Sequence, residues 1–370
     1  MTAADRRRTL VVKVGSSSVT TPGGQTDEEL IGRICEELAD LIEAGHQVVV
    51  VTSGAIAAGW WALGDGGIRP TDPSLLQALS AVGQHRLMRS WQDGLARRRL
   101  LAGQVLLAPL DFVHRQQYLH ARGTLSHLLD LGVVPVVNEN DAVADEEIRF
   151  GDNDRLAALV AHLIGADLLV LLTDTPGLFT ADPRRVAEAS LIEEVVEIDH
   201  QLEDVAGGPG SEVGSGGMAS KLAAAKIATW SGVETVIADA ARPGVLAAVL
   251  GEESGAGTVF RAHSRRLPAR KLWIAFAVGA QGSVVVDDGA RRALVEWGRS
   301  LLPAGVTGVR GSFGVDDAVE IVGPDGGVFA KGLVRYSSGR ASQWLGRHSR
   351  DLPEDLPPEI VHRDDLVVLV

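Results

Sequence analysis

The chain has 370 residues, 45% hydrophobic and 22% charged, an ordinary balance for a globular protein and a length that can hold two domains. Its formal net charge of −13 excludes a surface that coats nucleic acid throughout, and the charge is uneven: residues 1–260 carry −15 and residues 261–370 carry +2. One cysteine, Cys35, excludes an intramolecular disulfide and points to a reducing compartment, while 43 glycines suggest several tight turns of the kind that approach a ligand closely.

From the start to about residue 260, short β-branched runs alternate with longer helical patterns, as expected for a parallel sheet covered on both faces. The predicted strands are residues 10–14, 47–51, 104–107, 133–137, 168–172 and 235–238, and the predicted helices are 27–43, 74–90, 115–130, 153–164 and 219–231. The basic start Arg6-Arg7-Arg8 is followed by too short an apolar run for a signal-peptide core, and no apolar window of membrane-spanning length occurs. A cytoplasmic protein is the expectation.

The first strand holds Lys13 between Val12 and Val14, just before the turn Gly15-Ser16-Ser17-Ser18. A lysine there either points into water from an edge strand or neutralises an anion such as a phosphate, because a buried ammonium needs a counter-charge. The order of a Walker loop is absent, so a nucleotide needs another cradle. In the next helix Cys35 shares the apolar stripe of Leu30, Ile31, Ile34, Leu38, Leu41 and Ile42, which makes it a core residue rather than a reactive thiol. The second strand ends in Thr52-Ser53-Gly54-Ala55, a strand-to-helix turn whose N–H groups suit a carboxylate, although a plain left-handed turn uses the same residues.

Two polar clusters follow, Asn138-Glu139-Asn140-Asp141 and Gly151-Asp152-Asn153-Asp154. Asp152 alone is a helix cap, but the two clusters beside two anion-type turns suggest a site for a zwitterion, with carboxylates for an ammonium and N–H donors for a carboxylate. Thr173-Asp174 closes the fifth strand. Gly214-Ser215-Gly216-Gly217-Met218-Ala219-Ser220-Lys221 is either a flexible linker or a glycine-rich loop that grips phosphate at a helix start. In open α/β sheets such turns converge at the carboxyl ends of the strands.

After residue 260 an Arg-rich stretch, residues 261–270, reads as a linker. Short alternating strands follow at residues 283–286, 318–321, 329–335 and 366–370, favouring a small β-barrel or sandwich.

In order, Leu10-Val-Val-Lys13-Val-Gly15-Ser16, Val-Thr-Ser53-Gly54-Ala-Ile-Ala-Ala-Gly, Val-Asn138-Glu-Asn-Asp141, Gly-Asp152-Asn153-Asp154, Leu-Leu-Thr173-Asp174 and Ser215-Gly-Gly-Met-Ala-Ser-Lys221 resemble the glutamate 5-kinase family of the amino acid kinase superfamily. Val285-Asp287-x-Gly289-Ala290 and Ser300-Leu-Leu-Pro-x-Gly305-Val resemble the PUA domain that bacterial members often append. The resemblance implies a three-layer α/β/α domain with a mainly parallel sheet over residues 1–260 and a small β-barrel PUA domain over residues 271–370.

It also implies phosphorylation of the side-chain carboxylate of L-glutamate by ATP, the first step toward proline. Lys13 and Lys221 become the phosphate-neutralising lysines and Asp154 the carboxylate that holds them. Ser53, Asp141 and Asn153, with Asn138 nearby, match glutamate-binding positions. Lys13, Thr173, Asp174, Ser215, Gly216, Gly217, Met218, Ala219, Ser220 and Lys221 match ATP-binding segments. Serines replace the commoner threonines at Ser16 and Ser215, and residues 207–210 depart further from the pattern. No protein ligand set for a metal is expected, and Mg²⁺ is held mainly through ATP. The family further implies a homodimer or homotetramer and L-proline as an inhibitor. The rivals are a related kinase acting on aspartate, acetylglutamate, carbamate or UMP, and an RNA-binding regulator acting through the PUA domain, for which +2 is a poor electrostatic footprint.

Overall fold

The computed structural model describes all residues except 1–6, 22, 65–69, 113, 144–152, 182, 184–185, 187, 199–201, 203–216, 264–265, 349–350, 352, 354–356 and 370. It forms two compact units, Met1–Arg266 and Leu267–Val370.

The first unit runs β1 (Thr9–Val14), α1 (Ser16–Val19), α2 (Glu28–Glu43), β2 (Gln47–Thr52), α3 (Ala55–Ala62), α4 (Pro73–Ala96), β3 (Leu101–Leu107), α5 (Arg115–Asp130) and β4 (Val133–Glu139). It continues through α6 (Asn153–Ile164), β5 (Leu168–Thr173), β6 (Glu194–Val195), α7 (Met218–Trp230), β7 (Glu234–Asp239), α8 (Val245–Leu250) and β8 (Thr258–Phe260). Two of the long helices start where the chain supplies caps: the Asp27 and Asp72 carboxylates accept from the Leu30 and Leu75 N–H groups, and Pro73 opens α4.

One eight-stranded sheet has the order β3-β4-β2-β1-β5-β7-β8-β6 and is parallel except where β8 runs against β7. The chain leaves β1 toward β2 on one side and later returns to place β5 on the other, so the strand order reverses at β1. At such a reversal the carboxyl ends open a crevice. Register aligns that edge: Val14 pairs with both Thr52 and Leu172, and Thr173 pairs with Asp239.

Alternation along β1 sends Leu10, Val12 and Val14 into a core with Ile31, Ile34, Cys35 and Leu38 of α2 and Leu87, Trp91 and Leu95 of α4. Lys13 therefore points to the opposite face, where α6 packs on β1 and against α7. Cys35 is fully buried, and burial pushes its thiol up to about 12, in keeping with a core residue.

The second unit contains α9 (Ala269–Leu272), β9 (Gly282–Val286), α10 (Asp288–Val295), β10 (Val306–Gly311), β11 (Ala318–Val322), β12 (Val328–Val334), α11 (Ser338–Gln343) and β13 (Val361–Val368). Its mixed sheet has the order β10-β9-β11-β12-β13, with only β9 and β11 parallel among neighbours. Val284, Ile321, Phe329 and Tyr336 are part of its separate core.

Helices α5 and α6 have the predicted limits, whereas α3 and the short β6 and β8 were outside the predicted set. The last strand begins earlier than the predicted 366–370: Val361 already pairs with Val334, and the polar His362 to Asp365 fall in a register irregularity before Leu366 pairs with Gly332.

Helix α3 touches α4 backbone to backbone. A Cβ on Gly59 would stand 1.9 Å from the Leu79 carbonyl oxygen, and one on Gly83 would stand 1.7 Å from the Ala55 carbonyl oxygen. The expected outcome of Gly83→Ala is therefore a loss of at least about 1–3 kcal/mol, the usual range for overpacking, because backbone must move. Thermal unfolding followed by circular dichroism checks it: a lowered Tm is expected.

Candidate active site

The carboxyl edge of the central strands gathers side chains that are far apart in sequence. Lys13 lies near the end of β1, while Asp154 and Lys221 lie in the first turns of α6 and α7 on the face that Lys13 enters. The Lys13 ammonium pairs with Asp154 Oδ1, and the Lys221 ammonium with Asp154 Oδ2 at 3.3 Å. The Ser220 hydroxyl donates to the same Oδ2 at 3.0 Å.

All three charged groups are buried, and Asp154 is 0% exposed. Burial favours the neutral acid, but the Lys13 and Lys221 charges outweigh it and hold the Asp154 carboxyl below the ordinary carboxylate range. The pair of ammoniums is thus fixed on one ionised carboxylate. The stabilisation this gives is complete above the unfolded carboxyl's value of 3.8 and is lost as pH falls through the lower folded value.

On one side of this cluster, β2 ends at Thr52 and turns through Ser53 and Gly54 into α3. Gly54 has φ +102, a left-handed conformation that suits glycine, and α3 has no side-chain cap. Its first N–H groups therefore face the turn at the site edge. Thr52 is anchored from behind by the Trp91 indole N–H, which donates to its hydroxyl at 3.0 Å.

Beside it stands a buried amide chain. The Asn153 amide donates to the Thr52 carbonyl and to Asn138 Oδ1, the latter at 2.6 Å. Asn138 in turn donates to Gln84 Oε1 at 2.6 Å, and its Oδ1 also accepts from the Glu139 N–H at 2.9 Å. Asp141, partly exposed at the mouth, accepts from the Ser80 hydroxyl at 2.7 Å. On the other side, Thr173 is buried at the end of β5, its hydroxyl 3.1 Å from the carboxylate of the exposed Asp174.

Lys13, Asp154 and Lys221 are therefore brought into direct contact, and Asn138 and Asn153 into a second cluster with Thr52. Ser53, Asp141, Thr173 and Asp174 line the same carboxyl edge. Gly217, Met218, Ala219 and Ser220 lead into and begin α7, which delivers Lys221. Asp152, Ser215 and Gly216, also expected here, lie outside the described residues. Ser80 and Gln84 were missed by sequence reasoning. Their signal was two polar side chains one turn apart within the buried stripe of α4 that also holds Leu79, Gly83 and Leu87.

Among the described residues, no group of three or more His, Cys, Asp or Glu side chains is placed to hold a metal ion.

Comparison with known proteins agrees with this architecture. Residues 8–239 match the model of the amino acid kinase family, and residues 282–356 match that of the PUA domain. Glutamate 5-kinase of Trichlorobacter lovleyi is 46% identical over 367 residues, covering 98% of this chain and 97% of the relative. Glutamate 5-kinase of Mycobacterium tuberculosis is 46% identical over 362 residues, covering 98% and 95% respectively. Among solved structures, carbamate kinase from Giardia lamblia bound to AMP-PNP aligns with a TM-score of 0.51 at 17% identity, over 70% of this chain and 100% of that one, and shows the shared fold. The chain belongs to the glutamate 5-kinase family, with an amino acid kinase unit followed by a PUA domain.

Proposed function

We propose that this chain phosphorylates the side-chain carboxylate of L-glutamate with ATP, giving L-glutamyl 5-phosphate, the first step of proline biosynthesis. The observation that carries the reading is the buried Lys13–Asp154–Lys221 cluster at the carboxyl edge of the sheet, beside a separate polar pocket wall. Trapping the acyl phosphate with hydroxylamine, using purified protein, ATP, Mg²⁺ and L-glutamate, tests it. Absence of trapped product with glutamate, or equal product with aspartate, rejects the assignment.

The chemistry needs no general base. A glutamate side chain has a pKa near 4.3 and is already an anion at neutral pH. One carboxylate oxygen attacks the γ-phosphorus, a new P–O bond forms, and the bond to the β–γ bridging oxygen breaks, with its electron pair leaving on ADP. The obstacle is repulsion between an anion and a polyanion. Lys13 and Lys221 lower it by spreading positive charge over the transferring group, and Asp154 keeps both ammoniums at one place so that little reorganisation accompanies the reaction. Mg²⁺, held mainly through ATP, neutralises the β- and γ-phosphates when bound. Ser53 and the start of α3 take the α-carboxylate, and Asp141 with the Asn153 carbonyl oxygen takes the ammonium. Thr173, Asp174 and residues 215–221 take ATP.

Residues 1–260 are read as the catalytic domain and residues 271–370 as the PUA domain. We read the assembly as a homo-oligomer, dimer or tetramer. In support, edge strand β3 and helix α5 leave Leu101, Leu119 and Leu131 more than half exposed. We read the enzyme as cytoplasmic, in keeping with its lone buried cysteine; among the described residues no helix is long and apolar enough to cross a membrane.

Lys13→Ala and Lys221→Ala are each expected to lower kcat by about 100-fold, near 3 kcal/mol, with a smaller effect on the glutamate KM. Steady-state kinetics check this, and an unchanged kcat removes that lysine from the mechanism. For Asp141→Ala the pattern reverses: the glutamate KM rises by about 10-fold or more while the ATP KM changes little, because a charged contact to one substrate is lost. Free L-proline, which shares the α-carboxylate and ammonium but lacks the second carboxylate, is expected to inhibit in competition with glutamate. Glutamate saturation curves at rising proline measure this, and inhibition that persists at saturating glutamate refutes shared contacts.

A further inference from the structure

We infer that Ser80 and Gln84, one turn apart on α4, are positioning residues that set the orientation of the glutamate-binding groups, an inference that rests on the reading of Asp141, Asn138 and Asn153 given above. Both side chains are buried on a helix face that otherwise packs Leu79, Gly83 and Leu87. Polar side chains in such a stripe cost stability unless their hydrogen bonds are made, and both make theirs to members of the polar pocket wall.

Each acts on a different degree of freedom. Asp141 lies partly exposed at the mouth of the site. The Ser80 hydroxyl, donating to Oδ2 at 2.7 Å, fixes the plane of that carboxylate and so the direction its oxygens offer an ammonium.

Gln84 acts through polarity. Its Oε1 accepts from the Asn138 amide nitrogen, which turns Asn138 Oδ1 toward the Asn153 amide and the Glu139 N–H. Asn153 then spends both amide hydrogens, one on Asn138 and one on the Thr52 carbonyl. What it retains for a ligand is its carbonyl oxygen, an acceptor suited to an ammonium. Reversing Asn138 would set amide donor against amide donor in a buried place. The fixed backbone groups at both ends, the Glu139 N–H and the Thr52 carbonyl, set this polarity, and Gln84 Oε1 holds the Asn138 amide in it, keeping an acceptor at Asn153 without touching the ligand.

The test measures kcat and both KM values, with L-glutamate, ATP and Mg²⁺, for full-length Ser80→Ala, Ser80→Thr, Gln84→Met, Asp141→Ala and the Ser80→Ala/Asp141→Ala double variant. Ser80→Ala and Gln84→Met are each expected to raise the glutamate KM about tenfold, the scale of one hydrogen bond to a charged or buried partner, with the ATP KM nearly unchanged. Ser80→Thr, which keeps the hydroxyl, restores most of the affinity. The double variant should be no worse than Asp141→Ala alone, since the serine acts through that carboxylate. An unchanged glutamate KM in Ser80→Ala or in Gln84→Met overturns the role of that residue, as does a matching rise in the ATP KM with a lowered Tm. Additive effects in the double variant overturn the route from Ser80 through Asp141. If Asp141→Ala leaves the glutamate KM unaltered, the underlying reading of the site fails and the role of Ser80 falls with it.

Discussion

The structure depends on one carboxylate shared by two ammoniums in a place that water does not reach. Asp154 is fully buried, and so nearly are Lys13 and Lys221, so each charge is tolerable only because the others are there. That requirement ties three elements together. β1 supplies one lysine, α7 the other, and the first turn of α6 the carboxylate, near the positive end of its helix where an anion is favoured. Removing the carboxylate would leave two like charges facing each other in low dielectric. The arrangement of sheet and helices is therefore held together at this one cluster.

The second half of the site is built from neutral groups, and it uses directionality in place of charge. Thr52, Asn153, Asn138 and Gln84 form a relay across β2, α6, β4 and α4, with Trp91 anchoring Thr52 from the core. Asn153 and Asp154 are neighbours on α6, so one helical turn serves both halves. A shift of that turn would disturb the paired lysines and the amide relay together, which makes α6 the common reference for the two halves of the site.

Much of this was legible from residue order, for reasons that differ by element. The central strands were readable because valine-rich runs such as Gln47-Val-Val-Val-Val have little choice but a buried parallel strand. The site turns were readable because polar and glycine residues sit abruptly at the ends of those runs. Helix α3 was not, since Ala55–Ala62 is apolar on every side, with Gly59 in the middle as an apparent breaker; its glycine is explained only by the backbone of α4 lying against it. β8 is three residues long and pairs antiparallel at the far side of β7, a pairing that no local pattern encodes. Ser80 and Gln84 belong to the same class. Their partners are 61 and 54 residues away, and only the tertiary structure brings them together.

Cys35, the lone thiol of the chain, packs between α2 and α4 so tightly that a Cβ on Gly94 would lie 2.8 Å from its sulfur. Burial keeps that sulfur protonated at neutral pH, and no reagent can approach it while the two helices stay together. In the folded enzyme this thiol is thus shielded from alkylating and oxidising agents. The same residue then serves as an internal stopwatch. Its rate of labelling reports how often the contact between α2 and α4 opens, at that one position and without any engineered probe.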